Sequence, residues 1–370
     1  MSIAYILADP GIGVFGSKGA SVHVQEMIRA LRHHGHDVHV YCVRRGEKDG
    51  TELIPADLRD LPVTTVPLAG GDREKALRAA SDALVAAARG HDLVYERYSL
   101  FSDVGSRLGV PFILEVNAPL IDEQATHRHL ADAPTARRLS EDMFAAADLV
   151  SCVSPPVAQW VTQLCPQART QITPNGVNTG RIRPATGPRT GLTLGFLGTL
   201  KPWHGTGVLL DALAPTRHPW HLEFCGTGPQ RAALEEQAAA LGVSERVTFH
   251  GAVAPSAVPR ILQTWDAACA PYPQAEGHYF SPLKVYEYLA AGLPVIASRV
   301  GELPTLLANR GLIVEPGSAT DLAAALDLLG ADPARRQWLG AEGRRHVEKH
   351  HTWNQRCADL LAALPERIRS

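Results

Sequence analysis

Tyr279–Ser298, YFSPLKVYEYLAAGLPVIAS, writes a helix and a buried strand back to back, and its reading decides the fold. Ser281 has the chemistry of an N-cap, Pro282 suits the first helical position, and Gly292 stands where a helix ends on a left-handed residue. The first turn of such a helix leaves the amides of Leu283 and Lys284 without intrahelical partners, and the helix dipole adds partial positive charge there. That is an anion site. Lys284 adds a formal charge, and Glu287, one turn on, shares the side of Leu283 and Lys284. A carboxylate beside a phosphate cradle suits a sugar nucleotide, with the diphosphate at the helix start and the ribose diol at Glu287.

The same alternation of apolar strand runs and helical periodicity fills the chain, which predicts parallel-sheet α/β architecture. Strands are expected near Ile3–Ala8, Val38–Val43, Val63–Pro67, Leu93–Tyr95, Phe112–Val116, Leu149–Val153 and Gln171–Thr173. A second set is expected near Leu192–Leu197, His221–Phe224, Val247–Phe249, Ala267–Ala270, Pro294–Ala297 and Leu312–Val314. Between them Asn175–Gly191, NGVNTGRIRPATGPRTG, lacks periodicity and reads as a linker. Two doubly wound domains are therefore expected, 1–180 and 190–350, with a ligand cleft between their strand ends.

Bulk properties narrow the chemistry. The 370 residues are 45% hydrophobic and 20% charged, enough for two separate cores. A formal net charge of -2 gives no global basic field to draw nucleic acid or an anionic bilayer, so phosphate recognition must be local. No apolar run reaches the length of a membrane span, and the chain starts on the strand-like SIAYILA, which reads as cytoplasmic. The six cysteines are scattered without a CxxC and read as reduced core thiols. His127 and His129, or His346, His350 and His351, are the histidine groups to test for zinc; without an evident carboxylate or thiolate partner they read as solvated, and no metal is expected.

Taken in order, KGASVHV from Lys18, TPNGVN from Thr173, GTLKPWHG from Gly198, FHGAV from Phe249 and SPLKVYEYLAAGLPVIAS resemble the retaining glycosyltransferases of family 4 over nearly the whole chain. The resemblance implies the GT-B fold of two facing Rossmann-like domains with an interdomain cleft. It implies sugar transfer from a UDP or GDP donor to a small-molecule or glycan acceptor, with retained configuration and no required metal or other cofactor. It also implies a C-terminal helix, about 352–370, crossing back onto the first domain.

The family pattern then distributes roles. Glu287 matches the second glutamate of a spaced pair, which grips the donor ribose; the first position is Tyr279, and Glu276 in the same loop is a candidate substitute. Tyr279, Phe280, Ser281 and Leu283 form the expected donor-binding turn, and Val253 lies where the base contacts backbone. Thr199 and His204 stand at positions that in the family carry an Arg and a Lys for the diphosphate. Lys201 lies between them, so Lys201 is expected to carry the leaving-group charge with His204 or Lys284 assisting. Trp203 either stacks on a sugar or closes the core.

In the first domain Gly19 matches a glycine that brings backbone amides to phosphate or sugar. His23, one turn on, is expected to present an edge to the acceptor, unless it is structural. Glu115 and Asn117 end a strand and are candidates for acceptor binding, Glu115 also for base work; a helix-capping cluster is the competing account. Glu96 and Arg97 read as a structural ion pair. Gly11, Gly13 and Gly16 spell GxGxxG after a strand, and Arg44 and Arg45 follow the next one, which keeps an NADP-dependent oxidoreductase open as an alternative. A GT-B epimerase or a nucleotide-sugar-binding protein is the other alternative. Oligomeric state is not legible.

Overall fold

The computed structural model describes residues 1–127, 129–187, 191–274 and 278–369. Its strands form two parallel sheets. The first contains β1 (Ser2–Leu7), β2 (Asp37–Cys42), β3 (Val63–Thr65), β4 (Leu93–Arg97), β5 (Phe112–Val116), β6 (Leu149–Cys152) and β7 (Thr170–Ile172). The second contains β8 (Thr193–Leu197), β9 (His221–Cys225), β10 (Val247–Gly251), β11 (Ala267–Ala270), β12 (Val295–Ser298) and β13 (Leu312–Val314). The central strands read as continuous apolar runs because helices cover both faces. β4, β5, β11 and β12 are buried at every residue.

The orders are β3-β2-β1-β4-β5-β6-β7 and β10-β9-β8-β11-β12-β13. Each sheet grows outward in one direction from its first strand and then restarts on that strand's other side, which is the doubly wound pattern. The order reverses between β1 and β4 in one sheet and between β8 and β11 in the other. Loops leaving the carboxyl ends of those strand pairs are where an open sheet binds ligands.

The chain divides into two compact units, the first made of Met1–Asn175, Tyr279–Ser281 and Trp353–Ser370, the second of Gly176–His278 and Pro282–Thr352. Trp353 packs edge-on against His23, 4.8 Å between ring centroids, and helix Trp353–Ala362 buries Trp353, Cys357 and Leu360.

The stretch read as a linker is not loose. Ile182 is fully buried, and the Arg344 guanidinium donates to the carbonyls of Thr179 at 3.0 Å, Ile182 at 2.7 Å and Ala290 at 2.6 Å. The unpaired carbonyls of a nonperiodic segment thus find one charged donor, a long-range pairing that local composition does not reveal.

Helix Leu283–Ala290 ends on Gly292 in the left-handed region at φ 66, with Gly292 N donating to Leu289 O at 3.0 Å and Leu293 N to Tyr288 O at 3.0 Å. This is a Schellman closure. Its start differs from the expectation. Pro282 occupies the cap position in extended conformation without a side-chain cap, and the Ser281 hydroxyl accepts the amide of Asn175 at 3.2 Å instead of capping the helix.

Candidate active site

In the second unit the loops after β8 and β11 meet the first turn of helix Leu283–Ala290 around the Lys284 amine. Lys284 keeps part of its surface, but its Nζ is shut from solvent and has no hydrogen-bond partner among the described residues. It sits 4.1 Å from the centroid of the Phe196 ring and 5.6 Å from that of Tyr272. Gly198, at φ 142, makes room for it, since a Cβ there would lie 2.8 Å from Nζ. Burial drives the Lys284 amine down to about 7, against the opposing pull of Cys269 and Glu287. A buried cation donor without an acceptor among the described residues is costly, and at a sheet's switch point such a donor can take an anion.

Two glycine-dependent contacts build this pocket's floor. A Cβ at Gly226 would lie 1.9 Å from Gly198 O, and one at Gly228 would lie 2.3 Å from Leu200 O. The loop after β9 therefore packs backbone to backbone on the loop after β8. Neither Gly226 and Gly228 nor the Phe196 and Tyr272 rings stood out in the sequence; a glycine at the carboxyl end of β9 was the available signal.

The GTLKPWHG loop is held by its own hydrogen bonds. Thr199 is exposed, and its carbonyl accepts from Lys201 N at 3.0 Å and from His204 Nδ1 at 2.5 Å. Because that bond makes Nδ1 the protonated nitrogen, a neutral His204 offers only an acceptor at Nε2. Burial, then Lys284 and Lys201, holds His204 down to about 3. The expected cationic assistance from His204 is thus corrected: the imidazole is neutral. Lys201 Nζ lies 5.1 Å from the centroid of Trp203, which is 58% exposed and does not close the core.

Glu287 is partly buried, and its Oε1 receives Arg181 Nη2 at 3.1 Å. Arg181, from the presumed linker, was missed because that segment carries no periodic signal. Leu283 is the first residue of the helix, and Val253 follows β10, the edge strand two removed from β8. Glu276 lies outside the described residues.

Several expected donor and acceptor residues are committed elsewhere. Tyr279 packs on the first unit's core and its carbonyl accepts the Ser154 hydroxyl; Phe280 meets it edge-on at 6.2 Å, and Ser281 belongs to the same unit. Gly19 begins helix Gly19–His33 and is exposed, with its preceding cap residue making no side-chain bond. His23 presents no edge. It is buried, with Nδ1 2.7 Å from Asn175 Oδ1 and Nε2 2.6 Å from Glu115 Oε1. Asn175 Nδ2 donates to Ser281 O at 2.5 Å, which fixes the amide's orientation. Both ring nitrogens of His23 are thus engaged within the unit.

Glu115 is likewise saturated. Besides His23 it accepts from Tyr95 Oη at 2.5 Å, Arg97 Nη1 at 2.8 Å and Asn117 Nδ2 at 2.9 Å. Burial alone would raise its carboxyl, but His23, Arg97 and Tyr95 outweigh that and hold it far below the carboxylate range. It is not a base, and Asn117 is spent in part on it. Glu96 and Arg97 point to opposite faces of β4 and do not pair. Glu96 accepts Ser102 Oγ at 2.5 Å and Gly105 N at 2.7 Å, and burial pushes it up to about 7.

The GxGxxG loop is structural. A Cβ at Gly13 would lie 1.9 Å from Gly46 O, and Val14 and Phe15 donate their amides to the Arg44 and Arg45 carbonyls at 3.3 and 2.8 Å. Arg44 Nη2 donates to Gly11 O at 2.9 Å, and Arg45 pairs with Glu52 at 2.9 Å. The glycines dock one loop on another, and the arginines are already engaged.

For metals, His346 Nε2 lies 3.1 Å from His351 Nε2, and burial, then Arg310 and His350, lowers His346 to about 4. The side chain of His127 lies outside the described residues, and His129 is exposed. Among the described residues, Glu223, Cys225 and His250 could converge on an ion. Glu223 Oε2 is, however, already taken by Trp265 Nε1 at 2.8 Å and His250 Nε2 at 3.1 Å, and burial pushes the Cys225 thiol up to about 12.

Both units match family profiles, residues 17–181 that of Glycosyltransferase Family 4 and residues 191–332 that of Glycosyl transferases group 1. The chain belongs to the family 4 glycosyltransferases. It is 26% identical to the D-inositol 3-phosphate glycosyltransferase of Salinispora tropica, over 98% of this chain and 83% of that one. It is 30% identical to the GDP-mannose-dependent alpha-(1-6)-phosphatidylinositol monomannoside mannosyltransferase of Mycobacterium tuberculosis, over 64% and 67% of the two chains. Its fold is similar to that of Anabaena Alr3699/HepE, solved with UDP and glucose, at a TM-score of 0.74 and 19% identity over 98% and 100% of the two chains. The glycosyltransferase thus has the GT-B fold that the sequence resemblance implied, and the oxidoreductase alternative is not favoured. No helix among the described residues is long and apolar enough to cross a membrane.

Proposed function

We propose that this glycosyltransferase moves a sugar from a UDP or GDP donor to a small-molecule or glycan acceptor, retaining the anomeric configuration and needing no metal. The observation that carries the reading is the buried Lys284 amine, without an acceptor among the described residues, at the β8/β11 switch point. A diphosphate oxygen supplies that acceptor. As the bond from the sugar's anomeric carbon to the diphosphate breaks, Lys284, Lys201 and the first amides of helix Leu283–Ala290 neutralise the departing charge, the work a divalent cation does elsewhere. Glu287 takes the ribose hydroxyls. The acceptor hydroxyl attacks the same face, and its proton passes to a departing phosphate oxygen, so the reaction uses no carboxylate base. That fits a Glu115 held ionised by four donors.

The relatives' names support both donor bases: UDP is bound in the Anabaena structure, and GDP-mannose is named for the mycobacterial mannosyltransferase. The test is a donor panel of UDP- and GDP-sugars against polyol phosphates and glycan acceptors, with the product anomer assigned by NMR and the reaction repeated in EDTA. Transfer with an inverted product, or transfer abolished by EDTA, sinks the proposed mechanism. Glu287→Ala and Lys284→Ala should each lower turnover at least about tenfold, the equivalent of about 1.4 kcal/mol of transition-state stabilisation; wild-type rates in both would refute the site.

A further inference from the structure

The positive charge of this pocket is not built in. Lys284 Nζ is enclosed by Phe196, Tyr272 and the Gly198 backbone, and none of its donors finds an acceptor among the described residues. Among the described residues, the titratable groups facing it are His204 from the turn after β8, Cys269 from β11, Tyr272 just beyond that strand, and Glu287 from its own helix. Lys201 acts on the same cluster through His204. Glu287 is the only carboxylate among these, and Arg181 draws on its Oε1 at 3.1 Å. An ammonium in such surroundings loses its hydration without gaining a hydrogen-bonded counter-ion, so the empty pocket favours the neutral amine. An entering diphosphate reverses the preference, because it brings both the negative charge and the acceptor oxygens.

We propose that the second unit binds its sugar-nucleotide donor together with one proton from solvent, which settles on Lys284 and completes the cationic pocket. This rests on the donor reading of the site given under Proposed function. The balance is pocket plus proton plus donor on one side and the protonated complex on the other; no bond other than N–H forms. Near neutral pH the empty pocket sits close to the amine's titration at about 7, while His204 at about 3 stays neutral. Donor affinity therefore falls by up to about tenfold for each pH unit above that point, until the complex itself loses the proton. Release of the nucleoside diphosphate returns the proton.

Isothermal titration with UDP-glucose and GDP-mannose tests this, since their diphosphate diesters carry no proton that titrates near neutrality. At about pH 8, in buffers of different ionisation enthalpy, the apparent binding heat should vary with a slope of about one proton taken up per donor. Lys284→Arg, charged throughout, should bind with that slope abolished; Lys284→Met should bind more weakly, also without uptake. Donor binding with no buffer dependence in the wild type overturns the proton coupling and leaves the donor reading intact. Uptake that persists in Lys284→Arg and disappears in His204→Gln overturns the assignment to Lys284. Absence of binding by both donors overturns the donor reading itself, and the coupling with it.

Discussion

Lys284 and Glu115 show two opposite ways of burying a charge. Lys284 is enclosed without a hydrogen-bond partner among the described residues, so Lys284→Met should unfold at the same or a higher temperature than wild type at and below neutral pH while losing transfer activity. The pH dependence separates the two proteins further. The folded amine titrates at about 7 and the unfolded one near 10.5, so across that window the unfolded chain holds more proton and wild-type stability rises with pH. In Lys284→Met that rise should be missing from a series of thermal melts. Glu115 is the reverse case. Its folded carboxyl is held below its ordinary value of 4.5, so its contribution is complete above that value and is lost as pH falls through and below it. Glu115→Ala leaves Arg97 and His23 buried without their carboxylate and should cost roughly 3 kcal/mol in denaturant unfolding. A loss under about 0.5 kcal/mol would show that the network contributes little.

At the scale of elements, two glycines carry geometry that residues with a Cβ rarely adopt. Gly292 closes its helix at φ 66, and Gly292→Ala should cost about 1–2 kcal/mol, read from the urea midpoint. Gly198→Ala adds a clash to a similar strain, because the new methyl would stand 2.8 Å from Lys284 Nζ. It should weaken donor binding by at least the factor that Lys284→Met does; unchanged affinity would mean the amine does not act from that position. The strands, by contrast, were legible within one or two residues from apolar runs alone, since burial on both faces leaves a continuous signal. The helix's closure at Gly292 was also legible, being local chemistry, whereas its start lies one residue beyond the expected one, with Pro282 and not Ser281 at the cap. What local chemistry could not tell was occupancy. Nothing at Ser281 announces that Asn175 takes its hydroxyl, and nothing at His23 announces that both its nitrogens are engaged by residues 92 and 152 positions away. Lys284 was found because its charge sits on a helix start, whereas its enclosure by Phe196 and Tyr272 depends on β8 and β11 being neighbours.

On the scale of the whole molecule, the first unit depends on the far end of the chain. Trp353 is 5% exposed and packs on His23, so Trp353→Ala should destabilise that unit by about 3 kcal/mol. Calorimetry should show an unfolding transition that moves down in temperature; an unmoved trace would mean that this side chain adds nothing to the unit. A division into three sequence segments has a further consequence for how the polypeptide is made. The first unit needs residues 279–281 and 353–370. On the ribosome it therefore stays unfinished until residues 353–370 have been made, whereas the inserted unit has all its residues by Thr352. The half synthesised first is the half completed last, and a nascent chain stalled before Trp353 leaves the helix Gly19–His33 face that receives Trp353 open to chaperones.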